Sequence, residues 1–107
     1  MQETALSAIN FKDSLVVCYE DIEPALMEVL NTLRTKLIGL PDDVDTETIM
    51  SLFEECVEKL NDIANDETLV SGIDTEEREG LCDALYRMGD IVGLESETGY
   101  IDNWRDW

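Results

Sequence analysis

Apolar residues recur along this chain at spacings of three and four, the mark of amphipathic helices, and no stretch sustains the alternation of a strand. Ala8, Phe11, Leu15, Cys18 and Ile22 share one face, and Leu26, Val29, Leu30, Leu33 and Leu37 continue the same phase beyond Pro24. One helix carrying all of these would exceed about 50 Å, too long for a domain with a radius of gyration of about 13 Å. Proline inside it would also lose a hydrogen bond and crowd the preceding turn. A break is therefore expected at residues 20–24. Within the first part, the β-branched pair in residues 15–19 leaves a short strand open as a rival to helix.

Gly39 and Pro41 stop the second helix, and Asp42, Asp43, Asp45 and Thr46 offer capping oxygens for a third. That third helix is the clearest element: Ile49, Phe53, Cys56, Leu60 and Ile63 form a stripe that Met50 and Val57 widen. A loop runs through Ser71 and Gly72, after which Asp74 and Glu77 have the spacing of a capping box. Leu81, Ala84, Leu85, Met88 and Val92 form the last stripe, and Gly93 supplies a stop. The pattern predicts helices near residues 4–20, 24–38, 46–65 and 75–92 and a tail at 94–107. Residues 1–107 read as a single all-α domain, a small helical bundle of three to four helices with a C-terminal aromatic tail. No internal repeat or low-complexity segment interrupts it.

The tail is itself patterned. Tyr100, Trp104 and Trp107 are spaced as one face of a short helix, while Asp102, Asn103, Arg105 and Asp106 point elsewhere. Either the rings lie back across the bundle as a clasp, each burying about 150–250 Å², or they form an exposed aromatic anchor ringed by Asp102 and Asp106. A bundle with few other aromatics has use for the area, which favours the clasp.

Composition narrows the chemistry. The length suits one modest core, and an apolar fraction of 44% is that of a folded chain despite its acidity. The 26 acidic against 7 basic residues leave a net charge of −19, which repels nucleic-acid phosphates and anionic lipid. Direct nucleic-acid binding and membrane association are not expected. Neither a signal peptide nor a membrane-spanning run is visible, which places the expectation in the cytoplasm. Cys18, Cys56 and Cys82 are odd in number, far apart and outside any CxxC pair, and are expected as reduced, packed thiols.

With no histidine, Ser-His-Asp and Cys-His catalysis, the usual zinc enzymes and the ExxH di-iron bundle are closed. No glycine-rich phosphate loop is present. Asp43, Asp45, Glu47 and Glu54 fall at EF-hand positions, but Thr48 occupies the place of the required glycine and the span is already amphipathic helix. Asp43 or Asp45 is read instead as a helix cap. The chain is expected to be no enzyme, and no metal or cofactor is expected.

What remains is charge. Asp42, Asp43, Asp45, Glu47, Glu54, Glu55, Glu58, Asp62, Asp66 and Glu67 crowd one span against Lys59 alone. Glu54, Glu58 and Asp62 repeat every four residues, a like-charge stripe that weakens a helix by a few tenths of a kcal/mol per pair. A second cluster, Asp74, Glu76, Glu77, Glu79 and Asp83, partly serves the positive end of its own helix. A solvated face that keeps the protein soluble is one account of such stripes. The other is a docking face for a basic protein, with Glu54, Glu55, Glu58, Asp62, Asp102, Trp104, Asp106 and Trp107 as the candidate partner-binding residues. Size and composition suit an immunity protein or antitoxin that occupies the cationic groove of a nuclease-type toxin. A DNA mimic that blocks a DNA-binding protein, or a non-inhibitory adaptor subunit, would use the same electrostatics.

Overall fold

A computed structural model of the chain describes residues 1–16, 18–66, 68, 72–95 and 98–107. Val17, Glu67 and Ser71, which enter the sequence reading above, lie outside the described residues. The elements are α1 (Glu3–Ser7), α2 (Phe11–Ser14), α3 (Glu23–Ile38), α4 (Thr46–Ala64), α5 (Thr75–Ile91) and a C-terminal 3-10 helix (Tyr100–Asn103). The fold is all-α, and no strand occurs among the described residues. Its Cα radius of gyration is 13.3 Å.

The three long helices form where periodicity places them. Glu23 and Pro24 open α3, with proline in the first turn, where its missing N–H costs nothing. Leu26, Leu30, Leu33 and Leu37 are fully enclosed, and α3 packs most extensively on α4 through Ile49, Phe53, Val57 and Leu60. Asp45 caps α4 by accepting a 3.0 Å hydrogen bond from the Thr48 N–H. Hydrogen bonding from Thr48 holds the Asp45 carboxyl below the usual carboxylate range. The EF-hand spacing therefore corresponds to a capped helix start, as the sequence favoured. The last helix, α5, ends at Gly93 in a Schellman turn, with the Leu94 N–H on the Gly89 carbonyl at 2.8 Å.

The first predicted helix is corrected. Residues 4–20 do not form one helix: α1 ends at Ser7, α2 restarts at Phe11 under the Asn10 cap, and residues 15, 16, 18 and 19 lie in neither helix nor strand. Two short helices let Leu6, Phe11 and Leu15 all reach the core, where a straight rod would not. The carbonyls freed at the break find a partner on α3: the Arg34 guanidinium donates to Leu6 O at 3.3 Å and Ile9 O at 2.6 Å. It also lies 4.3 Å above the Phe11 ring. Ala8, expected on the apolar face, is exposed as a result, and Cys18 is only half-buried.

The segment after α2 crosses α5 at Gly80, where a Cβ would stand 2.6 Å from Ser14 O and 2.8 Å from Leu15 Cδ2. Glycine is needed for this close approach. Gly80→Ala would gain about 1 kcal/mol of helix propensity at an open site. Against a backbone oxygen it is expected instead to lose about 1–3 kcal/mol, with Tm falling by roughly 5–15 °C in a thermal melt. A raised Tm would show that the segment does not lie on α5.

Candidate functional site

The charged and aromatic residues singled out from the sequence fall into two groups around α4. Asn61, in its last two turns, ties the tail to the helix. Its amide nitrogen donates to Trp104 O at 2.8 Å, and its amide oxygen accepts from the Asp106 N–H at 2.9 Å. Glu58 lies one helical turn before Asn61 and Glu54 two turns before, while Asp62 follows it directly. Glu54, Glu58, Asp62 and Asp106 are thereby gathered on one side of the molecule.

Glu55 does not join them. It faces α3, where its carboxylate takes Lys36 at 2.7 Å and Lys59 at 3.5 Å. The Lys36 hydrogen bond, with its charge and then Lys59, holds the Glu55 carboxyl below its ordinary range. Asp102 is likewise engaged, by Arg105 Nε at 2.7 Å.

The tail rings lie back on the bundle. Tyr100 is buried, with Phe53 and Tyr86 meeting it edge to face at centroid distances of 5.9 and 5.2 Å and Trp104 tilted at 6.3 Å. Gly89 leaves the space its hydroxyl fills, and burial pushes the phenol well above its usual range. Trp104 and Trp107 are half-buried against the same core, and the Arg105 guanidinium lies 5.4 Å from the Trp107 ring. The spacing of Tyr100, Trp104 and Trp107 suggested one short helix. The 3-10 helix stops at Asn103, and Trp107 follows it in irregular chain held through Asn61, so the aromatic face is assembled by tertiary contacts.

A second feature escaped the sequence reading. Asp74 makes no side-chain cap at the start of α5, and the expected capping box with Glu77 is not formed. Both carboxylates turn to Tyr19 instead: Asp74 Oδ2 accepts from its hydroxyl at 2.8 Å, and Glu77 Oε2 accepts from its backbone N–H at 3.1 Å. Glu77 is 2% exposed, the one charged side chain buried among the described residues. The Asp74 hydrogen bond, reinforced by the charges of Asp74, Glu77 and Glu76, raises the Tyr19 phenol above its ordinary range. Beside Tyr19 opens a hollow of about 470 Å³, lined by Cys18, Tyr19, Asp74, Thr75, Glu76 and Glu77. The only signal for it in the sequence was the ambiguity of residues 15–19.

Residues 14–106 match the family described as "Domain of unknown function (DUF4844)". The chain belongs to this family. The matched span takes in the Tyr19 segment, all three long helices and the tail through Asp106, and starts after α1. No curated protein and no solved structure matches the chain. Among the described residues, no helix is long and apolar enough to cross a membrane. No group of three or more His, Cys, Asp or Glu side chains among them is placed to share a metal ion.

The thiols differ in environment. Cys56 is buried between α3 and α4, and burial pushes its thiol up to about 12. Cys18 and Cys82 are half-buried, and burial raises them as well. At about pH 8, a disulfide reagent is expected to modify native Cys56 roughly a hundredfold or more slowly than Cys18, with the difference lost in denaturant. Equal rates in the native state would contradict this packing.

The Asn61 clamp is tested by Asn61→Ala, which leaves Trp104 O and the Asp106 N–H without their partner. It is expected to cost about 1–2 kcal/mol, lowering Tm by roughly 5–10 °C and shifting tryptophan emission to the red. Unchanged emission would show that the rings seat themselves without it.

Proposed function

We propose that this protein is a binding module, rather than an enzyme, that engages a basic protein through its acidic surface. The observation that supports this most is the arrangement around Asn61. A helix carrying Glu54, Glu58 and Asp62 is joined to a tail carrying Asp106, and two half-buried tryptophans lie alongside. Among the described residues none of those four carboxylates has an ion-pair partner, unlike Glu55 and Asp102, which their own chain already neutralises. Like charges held this close repel one another, and a cationic partner relieves that repulsion while the tryptophan edges supply apolar contact.

The accessible surface is 5954 Å², and a standard interface takes about 800 Å² from each partner. A net charge of −19 over that surface steers any basic protein toward the molecule. Glu54, Glu58, Asp62, Asp106, Trp104 and Trp107 then form the contact, with Glu55 and Asp102 at its margin. In this reading the protein is cytoplasmic and acts as an immunity protein or antitoxin, covering the cationic groove of a nuclease-type toxin with carboxylates in place of phosphates.

Immobilised protein exposed to extract from cells that carry it is expected to retain a basic protein at roughly 0.15 M salt, where the Debye length is about 8 Å. Glu58→Lys combined with Asp106→Lys should release that protein, and the wild-type chain should suppress any nuclease activity it has. Retention indifferent to these charge reversals would remove the α4 and tail face from the proposal. Retention without suppression would turn the reading from inhibitor to adaptor.

A further inference from the structure

The two exposed large hydrophobic residues among the described ones, Val16 at 77% and Tyr19 at 46% exposure, are not scattered. They stand three residues apart between α2 and α3, and each borders a hollow. Tyr19 borders the larger one already described. Val16 borders a second of about 270 Å³, which Asp13, Glu79 and Asp83 also line. Glu76 lines both, so the two hollows adjoin at this side chain. Single exposed apolar residues need no explanation, but a pair with adjoining concavities forms a surface.

Its electrostatics select the occupant. Among the described residues, no lysine or arginine lines either hollow. Lys12 pairs with Glu23 and Arg87 with Asp83 at 2.9 Å, and Arg78, which stands between Glu77 and Glu79 in the sequence, lines neither hollow. The carboxylates of Asp13, Glu76 and Glu79 have no hydrogen-bond or ion-pair partner among the described residues. A second copy of this chain would bring these same acids against one another, and nucleic acid or an anionic membrane would be repelled.

We infer that this surface, formed by Val16 and Tyr19 over the N-terminal half of α5, docks a basic segment of a partner protein in which an arginine lies beside an apolar residue. The arginine enters the larger hollow, where the Tyr19 ring offers its face to the guanidinium and Glu76 a carboxylate. The apolar neighbour covers Val16 above Gly80. Tyr19 is held at both ends before the partner arrives, by Asp74 at its hydroxyl and Glu77 at its backbone, so little ordering is left for the binding step. The inference rests on the reading that the protein binds a basic partner, and adds a surface separate from that at α4 and the tail.

The probe is a short capped peptide of alternating arginine and leucine, added to the isotopically labelled full chain while backbone amide resonances are followed. Its glutamine-for-arginine analogue is the control. Shifts are expected to concentrate in residues 13–19 and 74–83, and the glutamine analogue should give none there. Val16→Asp and Glu76→Lys, both at exposed positions, should each weaken the peptide about tenfold; Val16→Asp should leave the melt unchanged, and Glu76→Lys should stay folded despite the charge lost from the first turn of α5. Glu58→Lys should leave its affinity at this surface unchanged. Shifts centred on α4 and the tail, abolished by Glu58→Lys, would overturn this surface and leave the basic-partner reading standing. Shifts spread evenly over every acidic face, or none at residues 13–19, would overturn it as well. The extract experiment above separately decides whether a basic partner exists.

Discussion

The seam between α3 and α4 carries the rest of the structure, because it has to hold together a small molecule with nineteen net negative charges. Leu26, Leu30, Leu33 and Leu37 of α3 are 2% exposed or less, and they meet Ile49, Phe53, Val57 and Leu60 of α4. Removing one such side chain from water contributes about 1.5–3 kcal/mol, more than the few tenths that a like-charge pair on a helix surface costs. The core can therefore tolerate a Glu54, Glu58, Asp62 stripe that no isolated helix would choose. The apolar face fixes the helix, which leaves the solvent face free to carry a charge pattern set by something else.

Three of the scarce cations are placed where elements meet. Of the seven basic side chains, Lys12 joins α2 to the start of α3, Arg34 reaches from α3 to the carbonyls at the end of α1, and Lys36 joins α3 to α4. Arg105 closes the tail on Asp102, and Arg87 holds Asp83 on α5. Exposed pairs of this kind contribute little each, whereas Arg34, with two carbonyls and an aromatic face, does structural work that a lysine could not. The consequence reaches the surface: among the described residues, Glu54, Glu58, Asp62 and Asp106 around α4 and Glu76 on α5 have no ion-pair partner.

The Tyr19 segment shows the same competition in another form. Asp74 and Glu77 have the spacing of a capping box, and in an isolated helix they would satisfy their own N-terminal amides. In the folded chain Ser14 and Leu15 lie against Gly80 of α5, and the N–H of Tyr19 would be left without a partner near buried Glu77. A buried amide left unpaired costs about 1–3 kcal/mol, comparable to what a side-chain cap supplies. The carboxylates accordingly serve the crossing segment. Both carboxylate residues line the hollow beside Tyr19, and Val16 stands in solvent.

Local sequence pattern determined α3, α4 and α5 to within one residue at each end, along with the Gly93 stop and a cap for α4 at Asp43 or Asp45, because each depends on contacts within a few residues; the structure chose Asp45. The all-α class, the charge and the absence of histidine were equally legible. Only the tertiary structure decided that residues 4–20 break into two short helices, since the break is stabilised by Arg34, which is 25 residues from Ile9. It alone decided that Asn61 gathers the tail beside the α4 acids, that Glu55 turns away to Lys36, and that Asp74 and Glu77 serve Tyr19. Each of these joins residues far apart in the chain, and a linear pattern carries no term for which distant polar group will meet which unpaired amide or carbonyl.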